Sequence, residues 1–175
     1  LHFAFSMVDQ HGLKKHGRGG FTCHICVLRP KSVGSVKLAD ANPNSPPLID
    51  PAFLKDERDL DTMLAGVKQA QQIMQAPSFD AHRGKALYAG ASNDDEELKE
   101  DIRNRADTIY HPVGTCKMGP DSDPNAVVDQ RLRVRGIKSL RVIDASIMPK
   151  IVSGNTNAPS IMIGEKGAHM ILEDA

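Results

Sequence analysis

Apolar residues recur at three- and four-residue steps between positions 56 and 77, and this spacing predicts an amphipathic helix. Asp56 is suited to begin the helix, because a short acidic side chain accepts hydrogen bonds from the free N–H groups at a helix start. Pro77 ends it, because proline cannot continue a helix without loss of a hydrogen bond. The apolar stripe is predicted to be core: Leu60, Met63, Leu64, Val67, Ala70 and Met74.

Two further helices are predicted. One begins within residues 92–96, where Asn93 and Glu96 have capping-box spacing. Its predicted buried face consists of Leu98, Ile102, Ala106 and Ile109. The last helix runs from about Ala158 to Leu172, with Asn157 as a candidate cap. Pro159 falls in its first turn, where a missing N–H does no harm.

Alternating apolar and polar residues predict short strands in the first quarter of the chain. One strand runs through about Val8 and a second from Phe21 to Leu28, and we expect them to form an antiparallel pair. A third strand is predicted over residues 34–39. Three prolines make residues 42–47 an extended loop.

After Tyr110 the sequence changes to short segments punctuated by glycine and proline. Three of these segments are strand-like: residues 127–128, 132–134 and 140–143. Gly136 is expected to turn the chain between the last two of them.

Composition excludes several classes of function. The chain has 22 Lys and Arg against 22 Asp and Glu, so it lacks the net positive charge typical of a nucleic-acid partner. Aromatic residues make up 4% and Trp is absent, which argues against a base-stacking platform. No apolar run approaches the roughly 20 residues that span a bilayer.

Cys23 and Cys26 have the spacing of half a zinc or redox site, and Cys116 makes the cysteine count odd. On the predicted strand, residues three apart face opposite sides, so the two thiols would not meet one metal ion. No second ligand pair follows. We therefore predict no metal site, and the alternative of a thiol or zinc-binding module would require metal in the purified protein.

Three places combine polar side chains with constrained backbone. His111 precedes Pro112, which restricts it to extended conformations, and histidine is suited to take a proton near neutral pH. Asp144 follows the last strand-like segment, where an acidic residue is also an ordinary turn former. Residues 153–159 are small and amide side chains that lead into a helix, whose N-terminus suits either a capping role or a ligand atom that becomes negative.

The motifs around these residues resemble a known family. Its carboxyl-terminal region is matched by YHPVGTCKMG at 110–119, LRVIDASIMP at 140–149 and GNTNAPSIMIGEK at 154–166. On these motifs the chain is identified as similar to the glucose–methanol–choline (GMC) oxidoreductases, FAD-dependent enzymes that oxidise alcohols.

The resemblance implies roles for individual residues. His111 would be the catalytic histidine and Asn155 its partner. His111 would remove the hydroxyl proton, and hydride would pass from the carbinol carbon to flavin N5. The resemblance also implies contacts with the ribityl and pyrophosphate part of FAD, and with its isoalloxazine ring, by two sets of residues: Asp144 and Ala145, then Asn157, Ala158 and Pro159.

The resemblance further implies that these residues are part of a larger two-domain enzyme. Family members carry a Gly-x-Gly-x-x-Gly fingerprint for FAD in an amino-terminal domain, and this chain has none. We expect an α+β fold, in which residues 1–110 supply an antiparallel sheet and helices of a substrate-binding domain. Residues 111–175 would supply the catalytic segment and the last strand and helix of the FAD-binding domain.

The resemblance also implies partners. We expect a primary alcohol as substrate, choline being the close alternative, and a quinone or another carrier rather than oxygen as electron acceptor. The amino-terminal FAD domain would be a further partner, without which the chain binds FAD weakly or not at all and is catalytically silent. A non-catalytic structural or assembly role is the alternative from another class. The expected location is the cytoplasm, with peripheral association with the inner membrane left open.

Overall fold

The computed structural model describes the whole chain except five residues: Val8, His11, Gly12, Lys15 and Arg18. The chain forms two compact units. The first unit comprises Leu1–Val33 and Ala52–Asp107, and the second comprises Gly34–Pro51 and Thr108–Ala175. Their later boundary lies near the predicted one at residue 110, but residues 34–51 group with the second unit. The assignment of substrate and flavin domains stays a prediction.

Two strands of the first unit pair as the sequence predicts, but they are short. β1 (His2–Ala4) and β2 (Thr22–His24) are antiparallel, with Phe3 opposite Cys23. The predicted extensions are wrong for residues 5–7 and 25–28, and Val8 lies outside the described residues. Hydrogen bonds between two strands extend only as far as both strands are extended, so the three residues of β1 limit the length of β2.

Helix α1 (Glu57–Met74) confirms the first predicted helix. The Asp56 side chain accepts a hydrogen bond from the N–H of Arg58 at 3.0 Å, as expected of an N-cap. Of the predicted stripe, Leu60, Leu64 and Ala70 are buried. The helix ends before Pro77, which begins a single 3-10 turn, Pro77–Phe79.

Helix α2 (Asp95–Arg105) is shorter than predicted and has a different cap. Asp94, not Asn93, is the N-cap, and its Oδ1 accepts the N–H groups of Glu96 and Glu97 at 2.8 and 3.0 Å. The predicted capping box is therefore wrong, because the neighbouring carboxylate satisfies both donors. Ile109 lies beyond the helix and is 44% exposed, which corrects its predicted place in the core.

The core of the first unit lies between α1 and α2. Four buried side chains form it: Leu60, Leu64, Leu98 and Ile102. Leu98 is 2% exposed. The carboxylate of Asp59, 3% exposed, accepts the backbone N–H groups of Lys31 and Ser32 at distances from 2.8 to 3.1 Å. One acidic side chain on α1 thus holds a distant loop.

The second unit contains a hairpin of which the sequence predicted one strand. β3 (Ser35–Lys37) pairs antiparallel with β4 (Leu48–Asp50), and the proline-rich loop connects them. The sequence did not predict β4. Two prolines directly precede it, and prolines indicate a loop rather than a strand. A Cβ on Gly34 would lie 2.1 Å from the Asp50 carbonyl oxygen, so glycine is required for this close approach.

The core of the second unit is built from irregular segments. Its buried members come from several parts of the chain: Val128, Leu132, Ile147, Met148 and Ile163. The three predicted strands are represented only by isolated bridges, Val128 to Met118 and Val134, and Arg133 to Arg141. The predicted last strand, residues 140–143, is therefore one arm of a short antiparallel turn. Gly136 lies in that turn with φ of +77°, as predicted.

Helix α3 (Asn157–Glu173) covers this core, close to its predicted bounds. A Cβ on Gly167 would lie 2.4 Å from Cγ2 of Ile143, so the glycine permits close contact between helix and core. At the other end, Arg131 and Arg141 form ion pairs with Asp174. Within the described part of the chain, no helix has the length and apolar character needed to cross a bilayer.

The described elements, three α-helices and two small antiparallel sheets, agree with the predicted α+β class.

Candidate active site

His111 occupies a backbone segment that is fixed on both sides. Tyr110 precedes it with φ of +67°, a conformation that few non-glycine residues adopt, and Pro112 follows it. Further along, the N–H groups of Cys116 and Met118 donate to the carbonyl oxygens of Ser146 and Ile147 at 3.0 and 2.7 Å. The chain around His111 is thereby attached to the core of the second unit.

Asn155 and Thr156 lie where the chain enters α3. Ser153, two residues before Asn155, has φ of +65°, so this segment also departs from common backbone conformations. Asn155 is exposed, whereas Thr156 is only 8% exposed. Tyr110 and Ser153, both in the left-handed region, thus lie within two residues of His111 and Asn155 in sequence.

The structure brings His111 and Asn155 together. Asn155 Nδ2 lies 2.9 Å from His111 Nε2, although 44 residues separate them in sequence. The other ring nitrogen, Nδ1, lies 2.9 Å from Thr156 Oγ1 and 3.4 Å from the Thr156 backbone nitrogen. Both imidazole nitrogens are therefore held by neighbouring residues of a single short segment. The catalytic roles of His111 and Asn155 stay predictions.

The contact to Thr156 was not predicted from the sequence. Thr156 stands between Asn155 and the predicted helix cap Asn157, and its type suggested only a helix start. The structure makes Thr156 the N-cap residue and Asn157 the first helical residue, so the predicted cap at Asn157 is wrong. No local signal in the sequence indicates this contact, because the two residues lie 45 positions apart.

The N-terminus of α3 is open. Thr156 gives the helix no side-chain cap, and the first backbone bond of the helix runs from the Ser160 N–H to the Thr156 carbonyl oxygen, at 3.0 Å. The first N–H groups of a helix have no acceptor within it and carry partial positive charge. Asn157 and Ala158 are exposed and Pro159 is partly exposed. This end of the helix fits an extended group that becomes negative, as the isoalloxazine ring of FAD does on reduction.

Asp144 and Ala145 begin a separate 3-10 turn, Ala145–Ile147. The Asp144 carboxylate accepts the N–H of Ser146 at 2.7 Å, and Ala145 packs against the core of the second unit. Ser146 Oγ is buried and has no hydrogen-bond partner among the described residues. The exposed Asp144 carboxylate fits hydrogen bonding to the hydroxyl groups of the ribityl chain of FAD. The hydrogen bonds described for Asp144 do not join it to His111 or Asn155.

Cys23 and Cys26 do not lie on one strand. Cys23 lies on β2, and Cys26 lies beyond its end, so the assumption of one strand through both residues is wrong. Burial raises the pKa of the Cys23 thiol, which opposes formation of a reactive thiolate. Across the residues described, no three His, Cys, Asp or Glu side chains are grouped as metal ligands.

Comparison with known proteins gives a consistent result. The family model described as GMC oxidoreductase matches residues 30–164. The chain is 51% identical over 173 residues to Alcohol dehydrogenase [acceptor] of Pseudomonas putida. The matched region covers 98% of this chain and 31% of that protein. It is 43% identical over 172 residues to the mitochondrial choline dehydrogenase of Mus musculus, over 98% of this chain and 29% of that protein. The chain thus spans less than a third of these relatives.

Solved structures agree in fold. The pyridoxine 4-oxidase from Mesorbium loti has a TM-score of 0.75 at 34% identity, over 81% of this chain and 28% of that one. A formate oxidase from Aspergillus oryzae, studied for its FAD modification, has a TM-score of 0.73 at 29% identity, over 85% and 26%. By the family match and these likenesses, the chain belongs to the GMC oxidoreductase family, whose carboxyl-terminal part it represents.

Proposed function

We propose that the chain is the carboxyl-terminal third of an FAD-dependent dehydrogenase that oxidises a primary alcohol to the aldehyde. The single observation that carries the proposal is the 2.9 Å contact between His111 Nε2 and Asn155 Nδ2, beside the open N-terminus of α3. A proton acceptor, a hydrogen-bond donor and a site for negative charge are then adjacent in the carboxyl-terminal part of a GMC oxidoreductase.

In this proposal His111 is the general base. Its Nε2 takes the hydroxyl proton of the alcohol, because histidine is the side chain best suited to accept a proton near neutral pH. The remaining contacts of the ring, with Thr156, fix its orientation. Loss of this proton raises the electron density on the substrate oxygen and favours formation of the carbonyl group.

Asn155 orients the substrate oxygen. Its amide nitrogen faces the position that the hydroxyl group must approach to reach Nε2. Since Asn155 is exposed, its side chain can turn from the imidazole to donate to the oxygen as negative charge develops there. The hydroxyl group would then donate to His111 and accept from Asn155.

FAD would be held by the residues that fit it. Asn157, Ala158 and Pro159 would face the isoalloxazine ring, and Asp144 and Ala145 the ribityl and pyrophosphate part. When bound, FAD supplies the acceptor for the hydride that leaves the carbinol carbon. The first N–H groups of α3 offer partial positive charge for the negative charge that gathers in this region.

The substrate proposed is a neutral primary alcohol. The relative with 51% identity is named an alcohol dehydrogenase, whereas the choline dehydrogenase has 43%. The acceptor proposed is a quinone or another carrier rather than oxygen. Choline is the second candidate, since relatives of that name cover the same residues.

The test uses the full-length enzyme, loaded with FAD and assayed with primary alcohols and with choline. Each substrate is paired with a dye acceptor and, separately, with oxygen. We expect higher kcat/KM for the alcohols and turnover that requires the dye. A preference for choline would replace the substrate proposal, and equal turnover with oxygen alone would contradict the acceptor.

A second experiment addresses the structural or assembly alternative. The 175-residue chain is assayed alone and after mixing with the amino-terminal portion of the enzyme. We expect no dye reduction and no stoichiometric flavin absorption from the chain alone, and restored activity after mixing. Stoichiometric FAD in the isolated chain would contradict the proposed dependence on the amino-terminal domain.

A further inference from the structure

We propose that Thr156 is a positioning residue that sets the protonation of the His111 ring. Its hydroxyl oxygen accepts the proton on Nδ1, which leaves Nε2 unprotonated and directed at Asn155. This inference rests on the proposed role of His111 as the base, and it adds a residue to which neither the motifs nor the family resemblance gave a role.

The hydrogen-bond donors around the ring support this arrangement. An amide nitrogen only donates, so Asn155 Nδ2 at 2.9 Å requires Nε2 to be the acceptor. A neutral imidazole with an unprotonated Nε2 carries its proton on Nδ1. Thr156 Oγ1, at 2.9 Å from Nδ1, is then the acceptor of that proton. The two contacts therefore define one consistent tautomer.

Thr156 occupies a position where its side chain would normally serve the helix. Threonine at an N-cap usually accepts a hydrogen bond from an N–H of the first turn. Here the N-cap residue makes no such bond, and its hydroxyl contacts the imidazole instead. At 8% exposure, Thr156 has little access to water as an alternative partner. The hydroxyl thus contributes to the histidine rather than to the helix.

The backbone of the same residue makes the hydroxyl necessary. The Thr156 N–H points at Nδ1 from 3.4 Å and favours an unprotonated Nδ1, the opposite tautomer. Without the hydroxyl acceptor, this N–H would be the remaining partner described for Nδ1. The ring would then favour a proton on Nε2, where it blocks acceptance of the substrate proton.

The charges near the ring favour the same interpretation. The described partners of the two ring nitrogens, Thr156 and Asn155, are uncharged. α3 carries no ionisable side chain before Glu165, so it presents only the partial positive charge of its N-terminus. That partial positive charge opposes formation of an imidazolium, and the neutral acceptor at Nδ1 offsets it. The hydroxyl remains an acceptor in both protonation states of the base.

The test compares variants of the full-length, FAD-loaded enzyme. Thr156→Val keeps the shape of the side chain and removes the hydroxyl. We expect kcat to fall about tenfold to a hundredfold with little change in KM, since hydrogen bonds to charged groups have this strength. In a plot of kcat/KM against pH, the part that rises with pH should move to lower pH. The reason is that the imidazolium of His111 loses the Thr156 hydroxyl as its acceptor. Thr156→Ser, which retains the hydroxyl, should restore both properties.

Ser160→Ala is the matched control. Ser160 lies one turn along α3, and its hydroxyl donates to the Thr156 carbonyl oxygen at 2.6 Å rather than to the ring. We expect its pH profile to coincide with that of the wild type. If Thr156→Val does not fold, Thr156→Ala provides a second variant without the hydroxyl, and equal FAD content establishes that each variant is intact.

A direct readout is the tautomer itself. Long-range ¹H–¹⁵N correlation spectra of enzyme labelled at histidine distinguish a proton on Nδ1 from one on Nε2, and His111→Asn assigns the signal. We expect Nδ1–H in the wild type and Nε2–H in Thr156→Val. The same tautomer in both, or an unchanged pH profile and kcat, would overturn the inference. Full turnover in His111→Ala would instead overturn the proposed function, so the two failures are distinguishable.

Discussion

The two units of the chain build their cores in different ways. In the first unit, Leu60 and Leu64 of α1 pack on Leu98 and Ile102 of α2, so two regular helices supply the whole cluster. In the second unit, the buried residues come mainly from loops, bridges and a 3-10 turn, and α3 contributes Ile163. Both units are compact, but the core cluster described for the first comes from two helices, whereas that of the second comes mainly from irregular segments.

This difference explains where the candidate site lies. A regular helix places side chains at fixed spacings, which serves a core well. A site needs particular side chains at particular points, and irregular backbone provides them, as the left-handed conformations of Tyr110 and Ser153 illustrate. His111 and Asn155 meet because the second unit is held together by contacts across long stretches of sequence.

The largest expected effect is truncation of either core. Leu98 and Ile147 are 2% and 1% exposed, so Leu98→Ala and Ile147→Ala should each lower the free energy of unfolding by about 2–5 kcal/mol. Denaturant unfolding of the purified chain measures the loss. Leu13→Ala is the control, because Leu13 is 84% exposed. If only one of the two variants lost much unfolding free energy, the unit that holds the other variant would lack a stabilising core.

A smaller effect is expected at the charged contact of the first unit. Asp59→Asn replaces a carboxylate that accepts two backbone N–H groups, those of Lys31 and Ser32, and should cost about 1–3 kcal/mol near neutral pH. Burial opposes ionisation of Asp59, but hydrogen bonds from Ser32 and Lys31 outweigh it and hold its pKa below the ordinary value of 3.8. Its contribution is therefore fully present above that value and lost as the pH falls through the lowered pKa.

The free energy of unfolding, measured at neutral and at acidic pH, tests whether the contribution of Asp59 is lost as the pH falls. The difference between wild type and Asp59→Asn should shrink in acid, as the wild-type carboxylate becomes protonated. Asp61→Asn, an exposed change two residues along α1, should have little effect at either pH. A difference that grows in acid would contradict the account of Asp59.

The smallest effect concerns the contact of α3 with its core. Gly167→Ala places a Cβ 2.4 Å from Ile143, and the resulting displacement should cost about 1–2 kcal/mol in spite of the better helix propensity of alanine. Gly164→Ala is matched, because a Cβ there meets nothing within 4 Å, and it should stabilise by about 0.5–1 kcal/mol. Thermal unfolding of both variants gives the comparison, and equal shifts would mean that α3 does not pack as described.

The sequence predicted best what depends on local spacing. α1 follows from its apolar period, and Asp56 was correctly predicted as its cap. The cap of α2 was wrong by one residue, because Asn93 and Asp94 are both good caps and only geometry selects between them. Ile109 was placed in the core by continuing a period past Ala106, where the backbone is already extended.

The spacing of apolar and polar residues did not predict contacts between residues that lie far apart in the sequence. β4 follows two prolines, and its partner β3 lies across a loop that carries no hairpin signature. The contact of His111 with Asn155 joins residues 44 apart, and only the family resemblance suggested it. Thr156 was missed altogether, because its neighbour Asn157 accounted for the helix start and nothing local indicates that its hydroxyl contacts an imidazole.

The central claim is that His111 takes the substrate proton, and anaerobic single-turnover reduction of FAD tests it most directly. Wild type and His111→Ala, both full-length and with equal FAD content, are mixed with a primary alcohol, and loss of the oxidised flavin absorbance is followed. We predict that the rate falls by about 10²–10⁴ in His111→Ala, the usual contribution of a general base. A rate within about twofold of the wild type would contradict the account.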